Sequence, residues 1–107
     1  MHLIMQKLIN SDNLLIDDIK CYDDFLFAIE YCIKYSKYET LVNLLNHFQD
    51  YTNFLRHNRK DISKRHNTSY ELFFIEYSFE LKNKEISQIM LDLFEYHLDI
   101  NVYTNIY

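Results

Sequence analysis

The sequence predicts an all-α fold, and two observations carry this prediction. First, the 107 residues include no glycine and no proline, although β-hairpins and the loops between strands depend on both. Second, residues 72–94 repeat residues 26–48, with eight of the 23 aligned positions identical at a fixed offset of 46. Such a repeat is typical of a duplicated helical unit. We therefore expect two antiparallel helical hairpins, packed as a short α-solenoid or a compact bundle.

Length and charge limit the class of protein further. A chain of 107 residues is long enough for one domain, 1–107, with its own core. Residues 1–50 carry a net charge of −4, residues 51–68 carry +4 and residues 69–107 carry −5. Because acidic surfaces repel nucleic-acid backbones and attract basic proteins, we expect a basic protein partner and no nucleic acid. Apolar runs are too short to span a bilayer and no signal peptide is evident, which favours a cytoplasmic protein without membrane contact.

The N-terminal residues predict short elements. Residues 2–9 read as a short apolar helix, because four residues that favour caps and turns, Asn10 to Asn13, follow it. Residues 14–18 read as a second short helix or an apolar linker.

The first hairpin is predicted over residues 22–55. Its first helix begins near Tyr22 or Asp23, since apolar side chains recur every three or four residues from Phe25 to Ile33. A break at 36–38 separates it from a partner helix, whose apolar stripe continues from Leu41 to Leu55. So short a turn forces the two helices to run antiparallel.

The second hairpin is predicted over residues 70–99, after a basic segment, 56–69, that has no apolar stripe and reads as a solvated loop. The third long helix is apolar on two faces, which is typical of a helix between neighbours. Asn83 is the expected cap of the fourth long helix, striped from Ile86 to His97. Residues 102–107 are β-prone and are assigned to no element.

The basic segment offers one candidate catalytic pair. Arg59 and His66 are separated by six residues, and this spacing resembles the Arg-x(4–6)-His motif of HEPN-domain ribonucleases, which are small all-α proteins. The resemblance implies that Arg59 stabilises phosphate charge and that His66 acts as acid or base. The competing interpretation, which we favour, is a solvated linker.

Other site chemistry finds little support in the sequence. The five histidines have no partner at a metal-ligand spacing, and a chain without glycine cannot form a phosphate-binding loop. Cys21 and Cys32, eleven residues apart, would lie about 16 Å from each other on one helix, too far for a disulfide. We therefore expect two buried reduced thiols, no metal and no cofactor.

Tyrosines and carboxylates offer a candidate binding surface. Tyrosine buries a large area with few rotatable bonds, so it is favoured at protein interfaces. Several of the ten tyrosines, Tyr96 among them, fall off the predicted apolar stripes. The predicted partner-binding residues are Asp23, Asp24, Glu30, Tyr31, Tyr35, Tyr38, Glu39 and Asp50. Exposed aromatic side chains would also permit a homodimer. An AT-rich coding sequence, which enriches tyrosine, asparagine and isoleucine together, is the alternative explanation.

The segments KYETLVNLL (37–45) and SYELFFIEY (69–77), within an acidic chain of duplicated hairpins, resemble the small all-helical immunity proteins that bacteria pair with secreted toxins. This resemblance implies a non-enzymatic inhibitor that binds and blocks a basic, nuclease-type toxin. The alternatives are an HEPN-like ribonuclease that uses Arg59 and His66, and a viral or phage anti-defence interaction protein. A toxin gene directly upstream would favour immunity.

Overall fold

Helices make up most of the described chain. The computed structural model describes residues 16–96, so the predicted helix 2–9, the tail 102–107 and His97 lie outside the described residues. A short 3-10 turn, Ile16–Asp18, precedes the α-helices of this part, and no strand occurs in it. The helices are α1 (Tyr22–Lys34), α2 (Tyr38–His47), α3 (Gln49–His57), α4 (Tyr70–Glu80) and α5 (Lys84–Leu93). The prediction of an all-α fold is confirmed for residues 16–96.

The first hairpin pairs α1 with α2. Helix α1 begins at Tyr22, as predicted, with Asp23 in its first turn and Lys34 in its last, where each charge complements the helix dipole. Its inner face is fully buried, and so are two leucines of α2; these residues are Phe25, Ala28, Ile29, Ile33, Leu41 and Leu44. Burial of these side chains is the main stabilising contribution to the hairpin.

The turn between α1 and α2 has a defined hydrogen-bond pattern. The Ser36 amide donates to the Ile33 carbonyl oxygen at 3.4 Å, and the Lys37 amide donates to the Cys32 carbonyl oxygen at 2.9 Å. These are the two bonds of a Schellman motif, which satisfies the last carbonyls of a helix. Ser36 takes the left-handed conformation, with φ of 55°, that the motif requires. Glycine normally fills this position, so a chain without glycine carries a strain of about 1 kcal/mol there.

The second helix predicted for the first hairpin is two helices. The apolar stripe indicated one helix through Leu55, but the backbone leaves the helical region at Phe48, where φ is −101° and ψ is 61°. Helix α3 restarts at the next residue. The buried Thr52 hydroxyl donates to the carbonyl oxygens of Leu45 and Phe48 at 2.9 and 3.0 Å. The stripe therefore continues through a bend that a threonine side chain stabilises.

The second hairpin pairs α4 with α5. Ser69 caps α4 by accepting a hydrogen bond from the Leu72 amide, and Asn83 caps α5 by accepting one from the Ile86 amide, as predicted for Asn83. Its core includes Phe74, Phe79, Ile86, Met90 and Leu91. The segment before it is not wholly a solvated loop, because α3 extends to His57, Ser63 is buried and Ile62 forms an isolated antiparallel bridge with Ser69.

Internal contacts divide the chain into two compact units, Met1–Thr52 and Asn53–Tyr107, with the boundary inside α3. A single domain over 1–107 stays a prediction. Within residues 16–96, every helix is too short or too polar to cross a bilayer.

Candidate functional site

The predicted partner-binding residues lie toward the two ends of the first hairpin. Tyr35, Tyr38 and Glu39 flank the turn between α1 and α2, whereas Asp23 lies in the first turn of α1 and Asp50 in the first turn of α3. A helix of 13 residues is about 20 Å long. The residues predicted to form one surface therefore lie in two separate groups, one at each end of the hairpin. Glu30 lies between them and is half-buried.

Two of the predicted residues are buried. Asp24 is 6% exposed, and one of its carboxylate oxygens accepts a hydrogen bond of 2.8 Å from the Lys20 amide. Tyr31 is 5% exposed, so the prediction that it lies outside the core is wrong. Apolar side chains surround more of α1 than the predicted stripe indicated, and this is why Tyr31 falls inside. We therefore assign both residues to the fold and not to a binding surface.

The turn surface, which we define as Tyr35, Tyr38 and Glu39, exposes two large aromatic side chains. Tyr35 is 51% exposed and Tyr38 is 41% exposed. The Tyr35 ring lies on the Tyr31 ring, with centroids 4.8 Å apart, and the Lys34 ammonium lies 5.4 Å from its centroid. Contact with the buried Tyr31 ring thus restrains the Tyr35 ring, and about half of Tyr35 stays exposed.

The other end of the hairpin holds an aromatic cluster that sequence reasoning missed. Phe48 and Tyr51 stack with ring centroids 5.6 Å apart, and both contact Phe25, which is fully buried. The Tyr22 ring lies 5.7 Å from the Tyr51 ring. The bend at Phe48 brings these rings together, and no spacing rule that assumes one continuous helix could have indicated it.

The candidate catalytic pair is engaged within the second unit. The Arg59 Nε lies 3.5 Å from an Oε of Glu71, and its Nη1 donates to the Phe94 carbonyl oxygen at 2.6 Å. Glu71 is 3% exposed and also accepts a hydrogen bond from the Tyr96 hydroxyl. The His66 ring stacks on the Phe73 ring at 3.7 Å. Both side chains therefore make contacts that stabilise the fold.

The described residues bear on the predictions for metal ligands and for the two cysteines. Residues 16–96 contain no group of three or more histidine, cysteine or acidic side chains close enough to hold a metal ion. Cys32 is buried as predicted, but Cys21 is exposed, so the prediction of two buried thiols is wrong for Cys21. Burial raises the pKa of Cys32 to about 12, and it therefore stays an unreactive thiol at neutral pH.

Comparison with protein-family models, with curated proteins and with solved structures finds no match to this chain. The resemblances to immunity proteins and to HEPN ribonucleases thus stay predictions, and the function has to be argued from the geometry of the chain itself.

Proposed function

We propose that this chain is a non-enzymatic protein-binding inhibitor of the cytoplasm, of the immunity type, that binds and blocks a basic, nuclease-type toxin domain. The observation that supports it best is the turn surface. Tyr35 and Tyr38, three residues apart, expose 51% and 41% of their area. Exposed tyrosines held on a rigid element are the side chains that most often supply binding energy at protein interfaces.

Rigidity of the turn favours binding. The Schellman hydrogen bonds fix the backbone between the two tyrosines, and Tyr31 restrains the Tyr35 ring from below. A surface that is already ordered loses little conformational entropy when a partner docks on it. Little of the free energy gained by burying the two tyrosines is therefore spent on ordering the turn.

Charge supports a basic partner. Residues 16–52 carry seven carboxylates against three lysines, a net charge of −4. The immediate turn is more balanced, because Lys34 and Lys37 flank it. The negative field of the whole segment would therefore steer a basic protein toward the hairpin, and the tyrosines would make the contact.

A direct test measures, by calorimetry with the whole chain, binding to purified basic nuclease-toxin domains. We expect the Tyr35→Ala/Tyr38→Ala double variant to weaken binding at least about 30-fold, since two interface tyrosines are each worth about 1–2 kcal/mol. Leu81→Ala is the matched control, because Leu81 follows Tyr35 by 46 residues and is also exposed, at 41%. Raising the salt concentration should weaken binding of the wild-type chain.

Two results would contradict the proposal: no binding by the wild-type chain, or equal weakening in the double variant and in Leu81→Ala. Light scattering separates a second alternative, since a homodimer through the turn surface would raise the molar mass of the free chain and fall apart in the double variant. A chain that cleaves RNA, and stops doing so after His66→Ala, would favour the ribonuclease alternative instead.

We further propose that the two hairpins derive from one duplicated unit. Helices α2 and α5 begin and end 46 residues apart, and the left-handed turn residues Ser36 and Lys82 have the same offset. Stacking of the hairpins as a short α-solenoid stays a prediction.

A further inference from the structure

The bend between α2 and α3 opens a cleft. Among residues 16–96, five consecutive residues that pass around the bend, 47–51, line an open cleft of about 440 Å³. This volume lies within the range of about 300–1,000 Å³ that is usual for small-ligand sites. Because Thr52 bonds the carbonyl oxygens of Leu45 and Phe48, the bend is fixed by hydrogen bonds.

Three of the residues that line this cleft, His47, Phe48 and Tyr51, carry aromatic rings. His47 meets Phe48 edge to face, with ring centroids 4.8 Å apart, and Phe48 stacks on Tyr51 at 5.6 Å. Both Phe48 and Tyr51 contact the ring of Phe25, and both residues are half-buried. Ring faces carry a negative quadrupole, which attracts cations.

A carboxylate completes the cleft. Asp50 lines it with an exposed side chain, and the lining residues within the described range 16–96 include no lysine or arginine. Aromatic rings beside a carboxylate match a planar guanidinium, which stacks on a ring with its face and donates two parallel hydrogen bonds to a carboxylate with its edge. A lysine ammonium carries the same charge, but it cannot stack on a ring with a planar face or donate two parallel hydrogen bonds to a carboxylate.

We propose that this cleft, lined by His47 to Tyr51, binds an arginine side chain of a basic protein, with Asp50 pairing to the guanidinium. The inference rests on the proposed function for the source of the arginine, namely the basic partner. It adds a second contact point, at the end of the hairpin remote from Tyr35 and Tyr38. The tyrosines of the turn would supply apolar area, whereas the cleft would select one charged side chain.

The test requires no partner. The full-length chain, labelled with ¹⁵N, is titrated with N-acetyl-arginine methylamide and followed by NMR. We expect saturable shifts of the amides of residues 47–51, and no saturable shifts with the citrulline analogue, which has the same shape without the charge. The lysine analogue should bind more weakly than the arginine analogue.

Variants locate the contact. Asp50→Asn removes only the charge pair and leaves the rings in place, so it should weaken binding of the arginine analogue by at most about fivefold. Asp50→Glu, which keeps the charge, should retain binding, and Glu85→Gln, which removes an exposed carboxylate of the second hairpin, should leave binding unchanged. The NMR spectrum of each variant also reports whether it folds.

The proposal is overturned if the arginine analogue gives no saturable shift at residues 47–51, if the citrulline or lysine analogue binds equally well, or if Asp50→Asn binds as tightly as Glu85→Gln. The two proposals fail separately. If the chain binds the arginine analogue but no toxin domain, only the proposed function is refuted. If it binds a toxin domain but not the arginine analogue, only the cleft proposal is refuted.

Discussion

The two hairpins share the bounds of their second helices and differ in the contacts that bury their first helices. Helices α2 and α5 begin and end 46 residues apart, and both preceding turns place a non-glycine residue in the left-handed region. At the same offset, however, Phe25 of the first hairpin corresponds to Glu71 of the second. Both side chains are buried, at 0% and 3% exposure, although one is aromatic and the other is a carboxylate.

Their surroundings explain how such different side chains occupy equivalent positions. The Phe25 ring lies among the rings of Phe48 and Tyr51. Glu71 instead meets the guanidinium of Arg59 and the hydroxyl of Tyr96. A buried carboxylate is tolerated only where such partners satisfy it. Positions 46 residues apart can therefore be buried either by apolar packing or by a polar network.

The largest change in stability is expected from Glu71→Ala, which removes the polar network of the second hairpin. The variant removes the ion pair with Arg59 and leaves the Tyr96 hydroxyl without its acceptor, so we expect a loss of about 2–3 kcal/mol in the free energy of unfolding. Urea unfolding followed by circular dichroism measures it. Glu76→Ala, an exposed glutamate of the same helix, is the control and should change stability by less than about 0.5 kcal/mol. Equal losses in the two variants would show that the network contributes nothing.

Sequence periodicity predicted the features that depend on local spacing. The start of α1 at Tyr22, the turn near Ser36 and the cap at Asn83 each follow from neighbours a few residues away. The burial of Glu71 could not be predicted, because its partners lie 12 and 25 residues away and become neighbours only on folding.

The candidate site was predictable only in part, for the same reason. The exposure of Tyr35 and Tyr38 follows from their position beside a turn. The aromatic cleft requires the bend at Phe48, which the continuous 3-4 spacing of apolar residues hides. Residues 46–48, Asn-His-Phe, are all poor helix formers, and this run was the one available signal.

A second difference between the hairpins concerns Cys32, which corresponds to Ser78 and is equally buried. Burial raises the pKa of Cys32 from 9.0 to about 12. Between these pH values the unfolded chain loses the thiol proton while the folded chain keeps it, so stability falls as the pH rises. We expect Cys32→Ser to remove this loss, which reaches up to about 1.4 kcal/mol per pH unit.

The measurement is the difference in the free energy of unfolding between wild type and Cys32→Ser from pH 7 to alkaline pH, because titration of tyrosines and lysines largely cancels in that difference. At neutral pH the variant should cost only about 1 kcal/mol, since Ser78 shows that a hydroxyl at this position can donate to a carbonyl oxygen three residues earlier, that of Ile75, at 2.8 Å. Cys21→Ser, at an exposed thiol, is the control. A difference that does not change with pH would contradict the assignment.

The smallest effect tests whether the caps are interchangeable. Asn83 and Lys37 occupy the N-cap positions of α5 and α2 with similar backbone angles, φ of −94° and −87°, but only the asparagine accepts a hydrogen bond from the helix. We expect Asn83→Ala to cost about 1 kcal/mol and Lys37→Asn to stabilise the chain by about 0.5–1 kcal/mol, both measured by urea unfolding. Asn43→Ala, at an exposed site inside α2, is the control and should not destabilise, because alanine is the better helix former there. If Lys37→Asn gave no gain, the lower ψ at Lys37, 73° against 100° at Asn83, would be the reason, and the equivalence of the two hairpins would stop at the helix bounds.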